Sequence, residues 1–357
     1  MQAVTDAYLA SWRESGVRLH RVLVDASDGA GWVEVAATSF TVAAARGDRV
    51  VARYSGSVVF PAGAPPINPY RCSVRCQSGF VTDDGPQWVT IATMRVEDAT
   101  SDYDGSQTIT AYSAEHAVEL AGFESPAVFA SGSGYAAIKA ILAVIALPTN
   151  VPATGDASVP QSVFSSSTSR WDAVQYYATA LSVDVFCNPL GEFVIGPKPT
   201  LNDPPVLTID AANVKLGHSL KRTRVGVPSV VVVEGIRTGD GTDGPRGIAY
   251  DDNPFSPTYY LGPFGRQQTT VSSPIMVTGA MCAKAARTIL AQAQGLATSL
   301  TVDTIPADFL LPGDVVTIGY ADGSEGLHIV DSLAHSSADS PQQITTRTTG
   351  GTAAMRS

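Results

Sequence analysis

The spacing of its turns constrains this chain more than any other feature. Between residues 18 and 111 it passes through Arg18–Val24, Trp32–Ala36, Arg49–Tyr54, Val58–Phe60, Tyr70–Gln77, Trp88–Asp98 and Ser106–Ala111, all of strand-like composition. Gly, Pro and Asp punctuate them, as in Pro61–Pro66, Asp84-Gly85 and Asp104-Gly105. Runs this short and this evenly broken predict a β-sandwich or barrel. Thr5 can cap a helix through Trp12, with Val4, Tyr8 and Trp12 at four-residue spacing on one face. Ala114–Ala121 reads as a second short helix, so residues 1–125 are expected to form one β domain.

The pattern changes after Pro126. Ser133 can cap a helix from Tyr135 to Leu147 that Pro148 stops, and a Pro/Ser/Thr-rich stretch leads to another helix over Arg170–Leu181. A hairpin follows, Ser182–Cys187 and Glu192–Gly196 about Asn188–Gly191, which makes 126–204 a small α/β unit. From Pro205 strand character returns. Ser229–Glu234 is a continuous apolar run that suits a strand buried on both faces. Residues 236–265, rich in Gly, Asp, Pro and Tyr, predict a long exposed excursion, and 275–295 a helix. Ser299–Thr304, Asp314–Tyr320, Leu327–His335 and Gln343–Thr348 complete a second β domain over 205–348, with 349–357 as a flexible tail. The two β segments are comparable in size and pattern, though no sequence repeat links them. The fold class expected is α+β and β-rich.

Only 16% of the 357 residues are charged, well below the usual ~25%. Such a chain either has large cores or hides much of its surface against other subunits. The net charge is −10, and Lys139, Lys198, Lys215, Lys221 and Lys284 are the only lysines. Phosphate backbones are held by Lys and Arg, so stable nucleic-acid binding is disfavoured, whereas an acidic surface that DNA slides past is compatible. The N-terminus lacks a basic region followed by an apolar one, and the longest apolar helical stretch, Ala136–Leu147, falls short of the ~20 residues a membrane span needs. A soluble chain without a membrane span is expected.

Candidate chemistry is sparse. Cys72, Cys76, Cys187 and Cys282 match no metal pattern. Cys72 and Cys76 would share a strand face too far apart for a disulfide, which predicts free buried thiols. Gly132-Ser-Gly134-Tyr-Ala-Ala137 matches a dinucleotide fingerprint in letters, but the strand before it is short and the candidate acid, Asp156, lies in a loop. Asp102-Tyr-Asp104-Gly105 has Ala111 where a calcium loop needs Glu, and Asp240-Gly-Thr-Asp243 has no supporting Glu. Asp83-Asp84 and Asp251-Asp252 are turn neighbours rather than carboxylates set across a cleft. The histidines His20, His116, His218, His328 and His335 form no ligand pair, and His328 and His335 are expected on opposite faces of one strand. No catalytic residue, cofactor or metal is expected. The aromatic and basic residues Tyr250, Phe255, Tyr259, Tyr260, Phe264 and Arg266, set among Gly and Pro, suit an exposed contact loop and are the candidate subunit interface.

Several stretches carry a resemblance by their order. They are the helix and strand Tyr8–Asp25, then Arg53-Tyr-Ser-Gly-Ser-Val-Val-Phe-Pro61, Arg71–Gln77 and Trp88–Asp98. Ala137–Leu142, Val183–Pro197, Val227–Gly235, Leu311–Ile318 and Gly326–Asp331 follow. Over roughly residues 5–348 this order resembles the hub proteins of tailed-phage baseplates and tail tips. That family includes the contractile-phage baseplate hub and the N-terminal part of tail-associated lysins; hub-type minor tail proteins of long-tailed actinobacterial phages look most alike. The resemblance implies two tube-protein-like β-barrels flanking the α/β insert. It implies a homotrimer whose barrels close a pseudo-sixfold ring that lines the DNA channel. Its expected partners are a distal tail protein or the tail tube above, tip, fibre or spike proteins below, and the tape-measure C-terminus in the lumen. The location implied is the virion tail tip, assembled in the host cytoplasm. The chain ends soon after the last hub strand, so a structural role is expected over a cell-wall-active hydrolase or a carbohydrate-binding receptor module.

Overall fold

The computed structural model describes residues 1–14, 16–27, 30–46, 51–152, 154–210, 215–235, 244–273, 275–294, 298–320, 322–338 and 340–348. Helix α1 (Asp6–Arg13) precedes strands β1 (Arg18–Asp25), β2 (Val33–Val35), β3 (Ser39–Ala45), β4 (Tyr54–Phe60), β5 (Ser73–Thr82), β6 (Gly85–Ser101) and β7 (Gln107–Tyr112). The middle of the chain holds α2 (Ala114–Leu120), β8 (Ala127–Phe129), β9 (Gly132–Ser133), α3 (Gly134–Leu142), β10 (Thr149–Asn150), β11 (Ser158–Val159) and β12 (Ser162–Phe164). Next come α4 (Arg170–Leu181), β13 (Val183–Cys187), β14 (Phe193–Pro197), β15 (Leu207–Ile209), β16 (Lys215–Arg222), β17 (Val230–Gly235), β18 (Arg246–Tyr250) and β19 (Gln268–Ser273). The last elements are α5 (Gly279–Gln294), β20 (Thr298–Thr304), β21 (Val315–Gly319), β22 (Glu325–Ser336) and β23 (Gln342–Arg347).

The helices start where their caps place them. Thr5, Ser133 and Ser169 accept from the amides of Tyr8, Ala136 and Asp172, which satisfies donors that a helix start leaves open. Tyr8 and Trp12 then dock edge-on against Phe80 and Phe309, at ring distances of 5.2 and 5.1 Å. The Trp12 indole also donates to the Pro306 carbonyl at 2.7 Å, so α1 is held by both ends of the chain at once.

Both β segments join one thirteen-stranded sheet, whose main path runs β16-β20-β23-β22-β3-β4-β7-β6-β5-β1-β2. The junction is an antiparallel pairing of β22 with β3, from Ser332 opposite Ala45 to Ser336 opposite Thr41. One core lies against this sheet and draws on both segments, including Val58 and Ile109 from the first and Val302 and Ile344 from the second. No closed barrel is found among the described residues.

A second core contains Val118, Ile138, Tyr177 and Phe193 from the α/β unit together with Val231, Val233, Ile275 and Leu290. The second core thus draws on β17, β18 and α5 as well as on the α/β unit. Val230, Val231, Val232 and Val233 are all buried, as a strand covered on both faces requires. Helix α5 lies so close on β18 that a Cβ at Gly247 would stand 2.2 Å from the Ala283 amide nitrogen. Part of the expected 236–265 excursion is thus a strand: Gly247 and Ala249 point inward while Ile248 and Tyr250 point outward. Residues 236–243, with Asp240 and Asp243, and the expected tail lie outside the described residues.

The large sheet is built from one module used twice. Strands β16, β20, β23 and β22 repeat the neighbour order of β3, β4, β7 and β6, and β21 pairs β22 as β5 pairs β6. β15 lies beside β21 as β1 lies beside β5, although the first pairing is parallel and the second antiparallel. The long strands β6 and β22 carry register shifts at equivalent places, Val96/Asp98 and Val330/Ser332. These registers put Glu97 at the position of Asp331, Gln107 at that of Gln342 and Arg46 at that of Arg224. The two glutamines do the same work. Each accepts a loop amide, from Ile67 at 3.0 Å and from Ala307 at 2.8 Å.

Candidate functional site

Tyr250 closes strand β18, and the other predicted contact residues sit on the loop 251–267 that leaves the three-stranded sheet β18-β17-β19. Buried Asp251 anchors it by accepting from the hydroxyls of Ser256 and Thr258, both at 2.5 Å. The Tyr260 amide donates to the Asp251 carbonyl, and Ser229 bridges the far end by donating to Gly265 and accepting from the Gln267 amide. A loop fixed this way presents its apolar tip at little entropic cost. Phe255 is that tip, 85% exposed.

The remaining candidates gather behind it. The Tyr260 ring meets Tyr250 at 5.2 Å and Tyr259 at 5.7 Å, and the Arg266 guanidinium lies 5.4 Å from its centroid. Phe264 is joined instead to Arg224, whose guanidinium lies 5.1 Å from the ring centroid and donates to the Phe264 carbonyl at 2.6 Å. The loop is therefore continuous with the turn after β16, the terminal strand of the large sheet.

Two ionic clusters, one buried and one half-buried, have no signal in the sequence, because their members lie far apart along it. In the first, Asp308 accepts from Arg18 Nε at 3.0 Å, Arg18 Nη2 at 2.6 Å and the His335 ring at 2.9 Å. Burial alone pushes this carboxyl up, but His335, Arg18 and Ser78 outweigh it and hold the group well below the usual carboxylate range. Asp308 and His335 are sealed from solvent, so the cluster binds β1 to the second module rather than meeting a substrate. In the second cluster, Arg46 reaches Asp184 at 2.8 Å and Asp331 at 4.0 Å, and Arg347 reaches Asp331 at 3.0 Å. Asp331 is held above its ordinary value because burial outweighs the two arginines. This seam, with Arg53 stacked 3.9 Å over Phe186, ties the large sheet to the α/β unit.

The other sequence motifs resolve into local structure. Asp156 accepts from Ser133 and from the Tyr135 amide at the start of α3, so the fingerprint-like run is a capped helix entry. Asp104 accepts from the Ser106 amide at 2.9 Å and hydroxyl at 2.6 Å in the β6–β7 turn. Among the described residues no group of three His, Cys, Asp or Glu side chains is placed to hold a metal ion. His328 and His335 do not lie on opposite faces. The bulge at Asp331 shifts the alternation by one residue, so both are buried, His328 between Tyr320 and Thr346 and His335 against Asp308. The four cysteines are free and buried. No described helix is long and apolar enough to cross a membrane.

No family model matches the sequence, and no curated protein matches it significantly. Solved structures do. A tail protein from Neisseria meningitidis MC58 is 15% identical and superposes with a TM-score of 0.65 over 92% of this chain and 96% of its own. The 43 kDa tail protein of prophage MuSo2 from Shewanella oneidensis is 11% identical, with a TM-score of 0.64 over 92% and 97%. Prophage tail protein gp18 from Listeria monocytogenes EGD-e is also 11% identical, with a TM-score of 0.60 over 93% and 95%. The fold is one found in phage tail proteins, and it extends over nearly the whole chain.

Proposed function

We propose that this chain is a non-enzymatic structural subunit of a phage tail, a hub at the tail tip. The observation that carries the reading is the duplicated module. One chain holds two copies of a β unit joined edge to edge, which is what a threefold part needs in order to match a sixfold tube. In this reading three chains form a pseudo-sixfold ring in which β1–β7 and β15–β16 with β20–β23 act as the two tube-protein-like units. The tube or a distal tail protein stacks above, tip, fibre or spike proteins attach below, and the tape-measure C-terminus occupies the lumen before DNA passes. The Phe255 loop serves as a contact between subunits. The low charge supports the reading, since ring subunits must present apolar patches and strand edges to one another. So does the likeness to tail proteins at full length. The acidic balance suits a bore that DNA crosses without adhering.

Electron microscopy of the purified protein tests the proposal. A threefold ring with a central hole is the expected image, and a chain that remains a lone monomer at every concentration counts against it.

A further inference from the structure

The repeat leaves two strand edges open, and each has a filled counterpart inside the same chain. After Arg95 the strand β6 parts from β5, so the outer edge of 97–101 is paired with no strand among the described residues. Its counterpart, 331–336 of β22, is covered by β3. On the other side, β16 pairs among the described residues with β20 alone, whereas its counterpart β3 lies between β4 and β22. We infer that β6 of one copy pairs with β16 of a second copy, head to tail, repeating between chains the β22–β3 junction found within one. This rests on the ring reading and names the surface that closes the ring.

The internal junction supplies the register. Ser332, Leu333, Ala334, His335 and Ser336 face Ala45, Ala44, Ala43, Val42 and Thr41. Transferred through the module, Asp98, Ala99, Thr100, Ser101 and Asp102 of one copy face Thr223, Arg222, Lys221, Leu220 and Ser219 of the next. The charges agree with this assignment. The edge at 97–102 carries Glu97, Asp98 and Asp102, whereas Lys215–Arg224 carries Lys215, Lys221, Arg222 and Arg224 with no acid, in a chain of net charge −10. Leu216 and Leu220 of β16 are 59% and 39% exposed.

The bulge residue adds a second correspondence. Within the chain, the Arg46 amide donates to the Asp331 carbonyl at 2.9 Å and the Arg46 guanidinium approaches the Asp331 carboxylate at 4.0 Å while passing over Gly313. The equivalents are Arg224 for Arg46, Glu97 for Asp331 and Arg71 for Gly313. Tyr70, Arg71, Cys72 and Glu97 line a groove of about 500 Å³ beside this open edge. That groove is the counterpart of the seat Arg46 fills, and Arg224 of the second copy enters it by exchanging its bond to the Phe264 carbonyl for Glu97.

Charge reversal with a rescue arm tests the pairing by native mass across a concentration series. Wild type assembles; Glu97→Arg and Arg224→Glu each weaken assembly by about tenfold or more, and the double variant recovers it. In the single chain Glu97 meets only His116 among the described residues, at 3.9 Å, while Arg224 also holds the Phe264 carbonyl. Circular dichroism and melting therefore check that each variant folds, and the rescue by the double variant separates pairing from a loosened loop. A chain carrying both Thr100→Cys and Lys221→Cys forms disulfide-linked oligomers on oxidation, with the buried native cysteines as a quiet background. An assembled wild type whose reversals change nothing, or do not rescue each other, overturns the pairing and leaves the ring reading standing. A wild type that never assembles overturns both.

Discussion

Replacing Asp308 with Ala removes the acceptor at the centre of the first buried cluster. Three donor atoms of Arg18 and His335 lie within 3.0 Å of its carboxylate, and both partner side chains are at least nine-tenths buried. Removing one member of a buried pair leaves the other charge unsolvated, which costs about 3–5 kcal/mol, far more than the net worth of the intact pair. For a urea slope of about 3 kcal/mol/M, that loss moves the unfolding midpoint down by about 1–1.5 M. The pH dependence is the sharper readout. The folded carboxyl titrates below its unfolded value of about 3.9. Between those two values the unfolded chain binds more protons, so stability rises with pH. The contribution is complete above about pH 4–5 and drains away as pH falls toward the folded value. Urea midpoints of wild type and Asp308→Ala, measured from pH 2 to 7, should lie far apart at neutral pH and converge in acid. Parallel curves across that range, or a loss below about 1 kcal/mol at pH 7, would show that the cluster does not brace the fold.

Gln107→Ala and Gln342→Ala should each cost about 1–3 kcal/mol in denaturant unfolding, because each strands a loop amide; one damaging and one neutral substitution would break the equivalence of the modules. Phe255→Ala should leave the melting of the single chain within about 0.5 kcal/mol of wild type and yet weaken assembly in native mass measurements. An unchanged assembly would make the loop tip a bystander. Burial pushes the Cys76 thiol up to about 12, so Ellman's reagent at pH 8 should label the folded chain slowly and reach four thiols only in denaturant. Rapid native labelling of Cys76 would mean that β5 opens.

What the sequence made legible is what depends on neighbours in the chain. Thr5 and Ser133 mark helix starts because a cap acts across three residues. Val230–Val233 reads as a buried strand because burial on both faces needs an unbroken apolar run. Arg18 and Asp308 lie 290 positions apart, and no local pattern announces a pair of that kind. The face of His335 is hidden from the sequence for a related reason. Alternation counts residues, and the register shift between Val330 and Ser332 adds one that composition does not mark. An exposed loop is legible where aromatic residues stand beside Gly and Pro, but its anchor is not: Asp251 reads as a turn residue in the sequence and is buried under the hydroxyls of Ser256 and Thr258.

The repeat escaped detection for a physical reason that follows from the proposed assembly. Residues that keep one role in both modules did stay alike: Gln107 and Gln342, Val58 and Val302, Ile109 and Ile344. The equivalent edges diverged because they meet different environments before assembly. On β3 the positions Phe40, Val42 and Ala44 face the core and are buried, and β22 of the same chain pairs with this edge. Their equivalents on β16, His218, Leu220 and Arg222, are exposed in the single chain. An apolar edge there would pair indiscriminately, and lysine and arginine on an exposed edge strand oppose that. The same charges would select the acidic edge at Glu97 and Asp98 over other strand edges. Apolar residues at one junction and charged ones at the other are thus expected of a module whose first edge closes within the chain and whose second must wait for another copy.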